Sequence, residues 1–216
     1  MTGHIRTVTF PGPAGRLEGL WKEPLVQRRG SAVFAHPHPM HGGTLHNKVV
    51  YRASQALSRS GFETLRFNFR GVGLSEGRYD EGRGEVEDFR AALAEAERTA
   101  GLPMAAGGFS FGAATALKAG FRDPRIETWI VAGLPVVTES GRGVPLPEAP
   151  ALFITGERDA FGPPREVERW LGGRHRLVVI PDADHFFEGK LDEFGAAVED
   201  FLSAFPRATA PAGARP

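Results

Sequence analysis

Met104-Ala-Ala-Gly-Gly-Phe-Ser-Phe-Gly-Ala-Ala-Thr-Ala-Leu-Lys118 is the stretch from which the rest of the chain can be read. Met104 to Phe109 is a short apolar run of the buried-strand type, and the run after Ser110 is Ala-rich and helical in character. Between them lies Gly108-Phe109-Ser110-Phe111-Gly112. A serine on so sharp a strand-to-helix turn carries a strained backbone and presents its hydroxyl outward. The flanking glycines are needed because side chains there would collide with the adjacent strand and helix. In a chain with 28 glycines the pentapeptide alone is a common pattern. Its setting makes Ser110 a candidate nucleophile rather than an ordinary helix N-cap.

Outward from this point, strand and helix patterns alternate. Ile5 to Phe10 and Leu17 to Lys22 read as an antiparallel hairpin around Pro11-Gly12-Pro13-Ala14-Gly15. Strands are expected at Ser31 to Ala35, Glu63 to Phe69, Met104 to Phe109, Thr128 to Ala132, Ala151 to Thr155 and Leu177 to Ile180. Helices are expected at Lys48 to Arg59, Glu85 to Arg98, after Ser110 to about Ala119, at Arg165 to Leu171, and from Leu191 to Phe205. This order implies an α/β fold: a mostly parallel central sheet with an antiparallel N-terminal hairpin and helices on both faces. Residues 1–206 read as a single domain, and 207–216, rich in Pro, Ala and Gly, as a flexible tail.

Composition narrows the function classes. The 216 residues carry 26 basic and 26 acidic side chains, so charge supplies no reason to expect nucleic acid or an anionic membrane as partner. Zero cysteines exclude disulfides, thiolate zinc sites and a cysteine nucleophile. No apolar stretch approaches the ~20 residues of a membrane span. The start, Met1-Thr-Gly-His-Ile-Arg, does not resemble a signal peptide, which leads to the expectation of a cytoplasmic protein. Homodimerisation is left open.

In a sheet of this kind, functional loops gather beyond the carboxyl ends of the strands. Those loops hold His36-Pro-His-Pro-Met-His-Gly-Gly43, Arg70-Gly-Val-Gly-Leu-Ser-Glu76, Ser110, Gly156-Glu-Arg-Asp159 and Asp182-Ala-Asp-His185. A free hydroxyl is a poor nucleophile near neutral pH and needs a base. His185 follows the last strand, where it can swing back over the strand ends. Asp159, after the preceding strand, can orient the imidazole and stabilise its cation. Asp182 and Asp184 compete for that role, but Asp184 is adjacent to His185 and Asp182 reads as a turn residue. Asp159 also has a bland reading, as a partner of Arg158.

A tetrahedral intermediate needs two backbone N–H donors. One is expected from Phe111. The other is expected from the histidine-rich loop, where Pro37 and Pro39 have no N–H to give; His38 is the first choice and Met40 the second. His36, His38 and His41 lack the further ligands a metal site requires, so no metal and no cofactor is expected. The His36 and His38 rings are expected to brace the loop. Residues 70–77 lack the Gly-Lys-Ser/Thr ending of a phosphate loop.

The chain resembles an α/β-hydrolase, and more narrowly the small lid-less bacterial hydrolases with a His-Pro-His-Pro loop that are distantly related to dienelactone hydrolases. The resemblance is carried by Ala35-His-Pro-His-Pro-Met-His-Gly-Gly-Thr44, Asn47-Lys-Val-Val50, Phe67-Asn-Phe-Arg-Gly-Val-Gly-Leu-Ser-Glu-Gly77, Gly108-Phe-Ser-Phe-Gly112, Thr155-Gly-Glu-Arg-Asp159 and Asp184-His-Phe-Phe187. It implies a Ser110–His185–Asp159 triad and cleavage of small carboxylic esters through an acyl-enzyme. Dienelactone hydrolases proper have a cysteine where this chain has Ser110, so their activity is not implied. The 17 residues from Leu134 to Pro150, where larger relatives insert a cap, are too few for one. An open site follows, walled by Phe109, Leu134, Phe161 and Phe186, with Phe111 and Phe187 as further candidates. Peptidase, amidase or acyltransferase chemistry on the same triad, and a non-catalytic binding protein of the same fold, are the competing readings.

Overall fold

Eight strands among the described residues form one sheet; numbered along the chain, they lie side by side in the order first, second, fourth, third, fifth, sixth, seventh, eighth. The structure is a computed structural model that describes residues 3–101 and 103–204. The strands are β1 (Ile5–Gly12), β2 (Gly15–Lys22), β3 (Gly30–Ala35), β4 (Phe62–Phe67), β5 (Met104–Phe109), β6 (Ile126–Ala132), β7 (Ala151–Gly156) and β8 (Arg176–Ile180). The helices are α1 (Lys48–Arg59), α2 (Arg83–Ala100), α3 (Phe111–Gly120), α4 (Pro164–Leu171) and α5 (Leu191–Ser203). β1 and β2 form the expected antiparallel hairpin, β2 runs antiparallel to β4, and all pairs from β4 to β8 are parallel. The expected tail and the last helical position, Phe205, lie outside the described residues.

Strands β3 to β7 are almost entirely buried, and all but β4, which carries Glu63, Thr64 and Arg66, read as largely apolar runs. Phe89 and Leu93 of α2, Ala113 and Leu117 of α3, and Val167 and Leu171 of α4 pack on one face. Val50, Ala53 and Leu57 of α1, with Phe194, Val198 and Leu202 of α5, cover the other. The segment from Gly133 to Pro150 contains a single short 3-10 turn, Glu139–Gly141, and no cap helix.

Several boundaries differ from those the sequence pattern suggests. β4 ends at Phe67 rather than Phe69 because the Phe69 N–H leaves the sheet and donates to Nε2 of His36 at 3.1 Å. α2 begins at Arg83 rather than Glu85, because the buried Glu85 carboxylate reaches back to accept from the N–H groups of Asp80 and Gly82. β6 begins at Ile126; the exposed Glu127 interrupts its apolar run and hides the first residues from a pattern search.

The chain builds β3, α1 and β4 to one side, then crosses through α2 to place β5 on the other side of β3. Strand order reverses between β3 and β5, and the crevice beyond their carboxyl ends is where such sheets bind ligands. Ala35 pairs with Gly108 there, so the loop after β3 lies against the turn after β5. Glycine makes this approach feasible: a Cβ on Gly112 would stand 2.3 Å from the His36 carbonyl oxygen, and one on Gly108 would stand 2.5 Å from the Gly112 carbonyl carbon. Gly112→Ala is therefore expected to lower stability by about 2 kcal/mol, measured by urea unfolding. A variant as stable as wild type would show that the two loops separate without cost.

Candidate active site

Ser110 occupies the turn between β5 and α3 with φ 56° and ψ −121°, a backbone conformation that L-residues avoid. Its N–H donates to the Ala132 carbonyl at 2.9 Å, and its carbonyl accepts from Ala113 and Ala114. The position is that of a helix N-cap, but the hydroxyl caps nothing. Ser110 Oγ lies 2.9 Å from Nε2 of His185. On the other side of the ring, Nδ1 lies 2.8 Å from Asp159 Oδ2. With the Nδ1–H donating to the carboxylate, Nε2 of the neutral ring accepts the Ser110 proton.

The loop after β7 fixes Asp159. Asp159 Oδ1 accepts from the N–H groups of Phe161 at 2.8 Å and Gly162 at 2.9 Å. Thr155 ties down the same turn by donating to the Gly162 carbonyl. Burial works to raise the Asp159 carboxyl. The His185 hydrogen bond and charge, together with the Gly162 and Phe161 N–H groups, outweigh it and hold the group below its ordinary value. Asp159 thus stays a carboxylate although its side chain is wholly buried. Both competing acids are occupied elsewhere. Asp182, at φ 59°, pairs with Arg158 at 2.6 Å, so Arg158 is not the partner of Asp159. Asp184 accepts from the N–H groups of Phe186 and Glu188, closing the turn that carries His185.

The His185 ring is held between aromatic rings: Phe161 at 4.6 Å, Phe109 at 5.1 Å and Phe186 at 5.3 Å between centroids. Gly133, at φ 51°, leaves the space the ring needs; a Cβ there would lie 3.2 Å from His185 Cε1.

The histidine-rich loop braces itself. His36 Nε2 accepts the Phe69 N–H, so its Nδ1 carries the proton and donates to the Pro37 carbonyl at 2.7 Å. His38 Nδ1 accepts the Met40 N–H at 3.2 Å, and its Nε2 lies 3.1 Å from the Tyr79 hydroxyl. The second-choice donor, Met40, therefore spends its N–H inside the loop. The N–H groups of His38 and Phe111 have no acceptor among the described residues. The His38 ring also stacks on His41 and leans on Phe111 at 4.9 Å.

A cavity of about 220 Å³ opens over Ser110, lined by His38, Gly43, Phe111, Ser140, Phe161 and Phe186 among others. Two of the expected wall residues are not there. Phe109 is the last residue of β5 and lies wholly buried beneath the His185 ring, and Leu134 is buried in the core on the α2 and α3 side. Phe187 is likewise core. Each of these sits on the inward side of its turn, a matter of backbone direction that hydrophobicity does not reveal. Phe161 and Phe186 do line the cavity, half exposed at its mouth. Tyr79 was missed: it lies in a long polar loop, and only the folded chain brings its hydroxyl to His38.

Residues 29–209 match a family model described as an alpha/beta hydrolase domain. An uncharacterized protein of Rickettsia prowazekii is 35% identical over 211 residues, covering 90% of this chain and 87% of its own length. The structure of an alpha-beta serine hydrolase homologue from Coxiella burnetii is 36% identical with a TM-score of 0.85, covering 94% of this chain and 98% of that one. A member of the α/β serine hydrolases without a lid, from Xanthomonas campestris, is 32% identical with a TM-score of 0.87, covering 96% and 97% of the two chains.

Burial lowers the His36 ring to about 4, against which its hydrogen bond to Pro37 works only in part. In the unfolded chain the ring takes its proton near 6.5, so between these values the unfolded state holds more protons. The stability contributed by the neutral ring is present above pH 6.5 and is lost as pH falls from 6.5 to about 4. The interval corresponds to about 3 kcal/mol. Urea unfolding at pH 7.5 and 4.5 is expected to show a loss of this order in wild type and a smaller one in His36→Gln. Equal losses in both would assign the acid sensitivity elsewhere.

Proposed function

The chain belongs to the alpha/beta hydrolase domain family, and on that premise we propose that it is a serine hydrolase cleaving small carboxylic esters. One observation carries the reading: a continuous hydrogen-bonded chain from Asp159 through His185 to Ser110, ending at a cavity open to small molecules. In this reading Ser110 Oγ attacks the ester carbonyl carbon while its proton passes to His185 Nε2. The carbonyl oxygen, now an anion, is held by the Phe111 and His38 N–H groups. The two flanking prolines stiffen the loop that carries His38, so this donor is positioned before substrate arrives. Collapse of the intermediate breaks the bond to the alcohol oxygen, which takes the proton from His185. Water then attacks the acyl-enzyme with His185 again as base, releasing the acid and restoring Ser110.

Asp159 orients the ring and stabilises its cation; it does not take the proton, because His185 and the Phe161 and Gly162 N–H groups favour its ionised form. The residues invoked need no metal or organic cofactor to complete this cycle. The compact cavity between Phe111, Phe161 and Phe186 favours short acyl groups over long lipids.

Hydrolysis of p-nitrophenyl acetate, butyrate and octanoate tests the reading. Acetate and butyrate are expected to turn over faster than octanoate. Ser110→Ala is expected to lower kcat by about 10³-fold or more, and equal rates for variant and wild type would overturn the assignment. Asp159→Asn is expected to lower kcat by up to about 10⁴-fold, whereas Asp182→Asn, which loses only an exposed ion pair, is expected to retain wild-type kcat. The reverse ranking would make Asp182 the acid.

A further inference from the structure

A second cleft, of about 410 Å³, adjoins the Ser110 cavity and shares His38, Phe111 and Ser140 with it. It is lined further by Tyr79, Glu81, Gly82, Thr115, Lys118 and Glu139. Phe111, Thr115 and Lys118 recur at helical spacing along α3, so one helix face leads from the nucleophile into this cleft. Lys118 is the unusual member. Its Nζ donates to the Ser140 carbonyl at 3.0 Å, and no carboxylate among the described residues pairs with it. The two acids in the cleft have partners of their own: Glu81 pairs with Arg83 at 3.0 Å and Glu139 with Arg142 at 2.9 Å. Burial works against the Lys118 charge and lowers the group from its ordinary value. A half-buried ammonium held by one neutral carbonyl gains from an anionic partner.

Tyr79 adds a second donor. His38 Nδ1 accepts the Met40 N–H, so in the neutral ring the proton lies on Nε2 and is donated to Tyr79 Oη. That leaves the phenol's own proton for another acceptor. The leaving alcohol must lie beside His185, which protonates it, and the carbonyl oxygen faces the Phe111 and His38 N–H groups. The two cavities join at His38, Phe111 and Ser140, so an acyl chain held over Ser110 has an open route into the second cleft.

Resting on the esterase reading above, we propose that this cleft receives a carboxylate at the far end of the acyl chain, with Lys118 as counter-charge and the Tyr79 hydroxyl as donor. The preferred substrates are monoesters of dicarboxylic acids. The eight-residue separation of Ser110 and Lys118 spans about 12 Å of helix, and the lysine side chain reaches back over part of it. An acyl chain of about six carbons fits the remainder.

The kinetic test compares 4-nitrophenyl hydrogen adipate with 4-nitrophenyl hexanoate, which has the same chain length without the charge. In wild type at low ionic strength, kcat/KM for the adipate ester is expected to exceed that for the hexanoate by about tenfold, the worth of one charge-assisted hydrogen bond. The ratio is expected to fall to one or below in Lys118→Met and to persist in Lys118→Arg. A wild-type ratio of one or less, or one unchanged in Lys118→Met, overturns the proposal. Calorimetric titration of monomethyl adipate into Ser110→Ala tests the cleft without turnover. Binding there and its loss in Ser110→Ala/Lys118→Met support the cleft, and equal or absent binding in both overturns it. If neither ester is hydrolysed the esterase reading fails, while the titration still decides the cleft.

Discussion

The turn at Ser110 is the constraint around which the rest is arranged. A non-glycine residue at φ 56° and ψ −121° persists only when its surroundings over-determine it. Here the surroundings are specific. The Ser110 N–H is held by Ala132 of β6, its carbonyl starts α3, and Gly112 packs against the His36 carbonyl with no room for a Cβ. The strain has a geometric return. It turns the hydroxyl out of the helix, where a serine at this position would ordinarily cap N–H groups, and toward His185.

Around that turn, each group near Ser110 is held by backbone as much as by side chains. Asp159 is fixed by two N–H groups of its own loop, Asp184 closes the loop that carries His185, and His36 joins the β3 loop to the chain after β4. Aromatic rings then bracket the imidazole on three sides. The arrangement keeps loop-borne groups in register without a lid, and the 17 residues from Leu134 to Pro150 contribute walls rather than a cover. The cost is retained sensitivity: a neutral, buried His36 ties the integrity of the β3 loop to pH.

Much of this was legible in the residues because a strand buried on both faces must be apolar and a glycine-bounded serine between strand and helix is rarely accidental. The eight strands and five helices of the described residues follow the sequence pattern, with shifts where a side-chain hydrogen bond sets a boundary, as His36 does at Phe69 and Glu85 does at Gly82. The strand order placed Ser110, Asp159 and His185 on loops at one edge of the sheet. Pattern could not say which of the neighbouring phenylalanines face the cavity. Phe109 and Phe186 are equally apolar, yet one is wholly buried and the other 56% exposed, because strand and loop direct their side chains differently.

The sequence by itself determined the alternation of strands and helices, the glycine-bounded turn at Ser110, the exclusion of thiol chemistry and the three candidate residues, since these follow from local periodicity, glycine placement and residue type. Only the tertiary structure shows which carboxylate faces His185, because Asp159, Asp182 and Asp184 differ in their partners and not in their chemistry. It also shows that the Met40 N–H is taken up by the His38 ring within the loop. Finally, it brought Tyr79 and Lys118 to the edge of the Ser110 cavity from two separate segments. Such meetings depend on how loops fold over the sheet edge, a long-range geometry that no local pattern encodes.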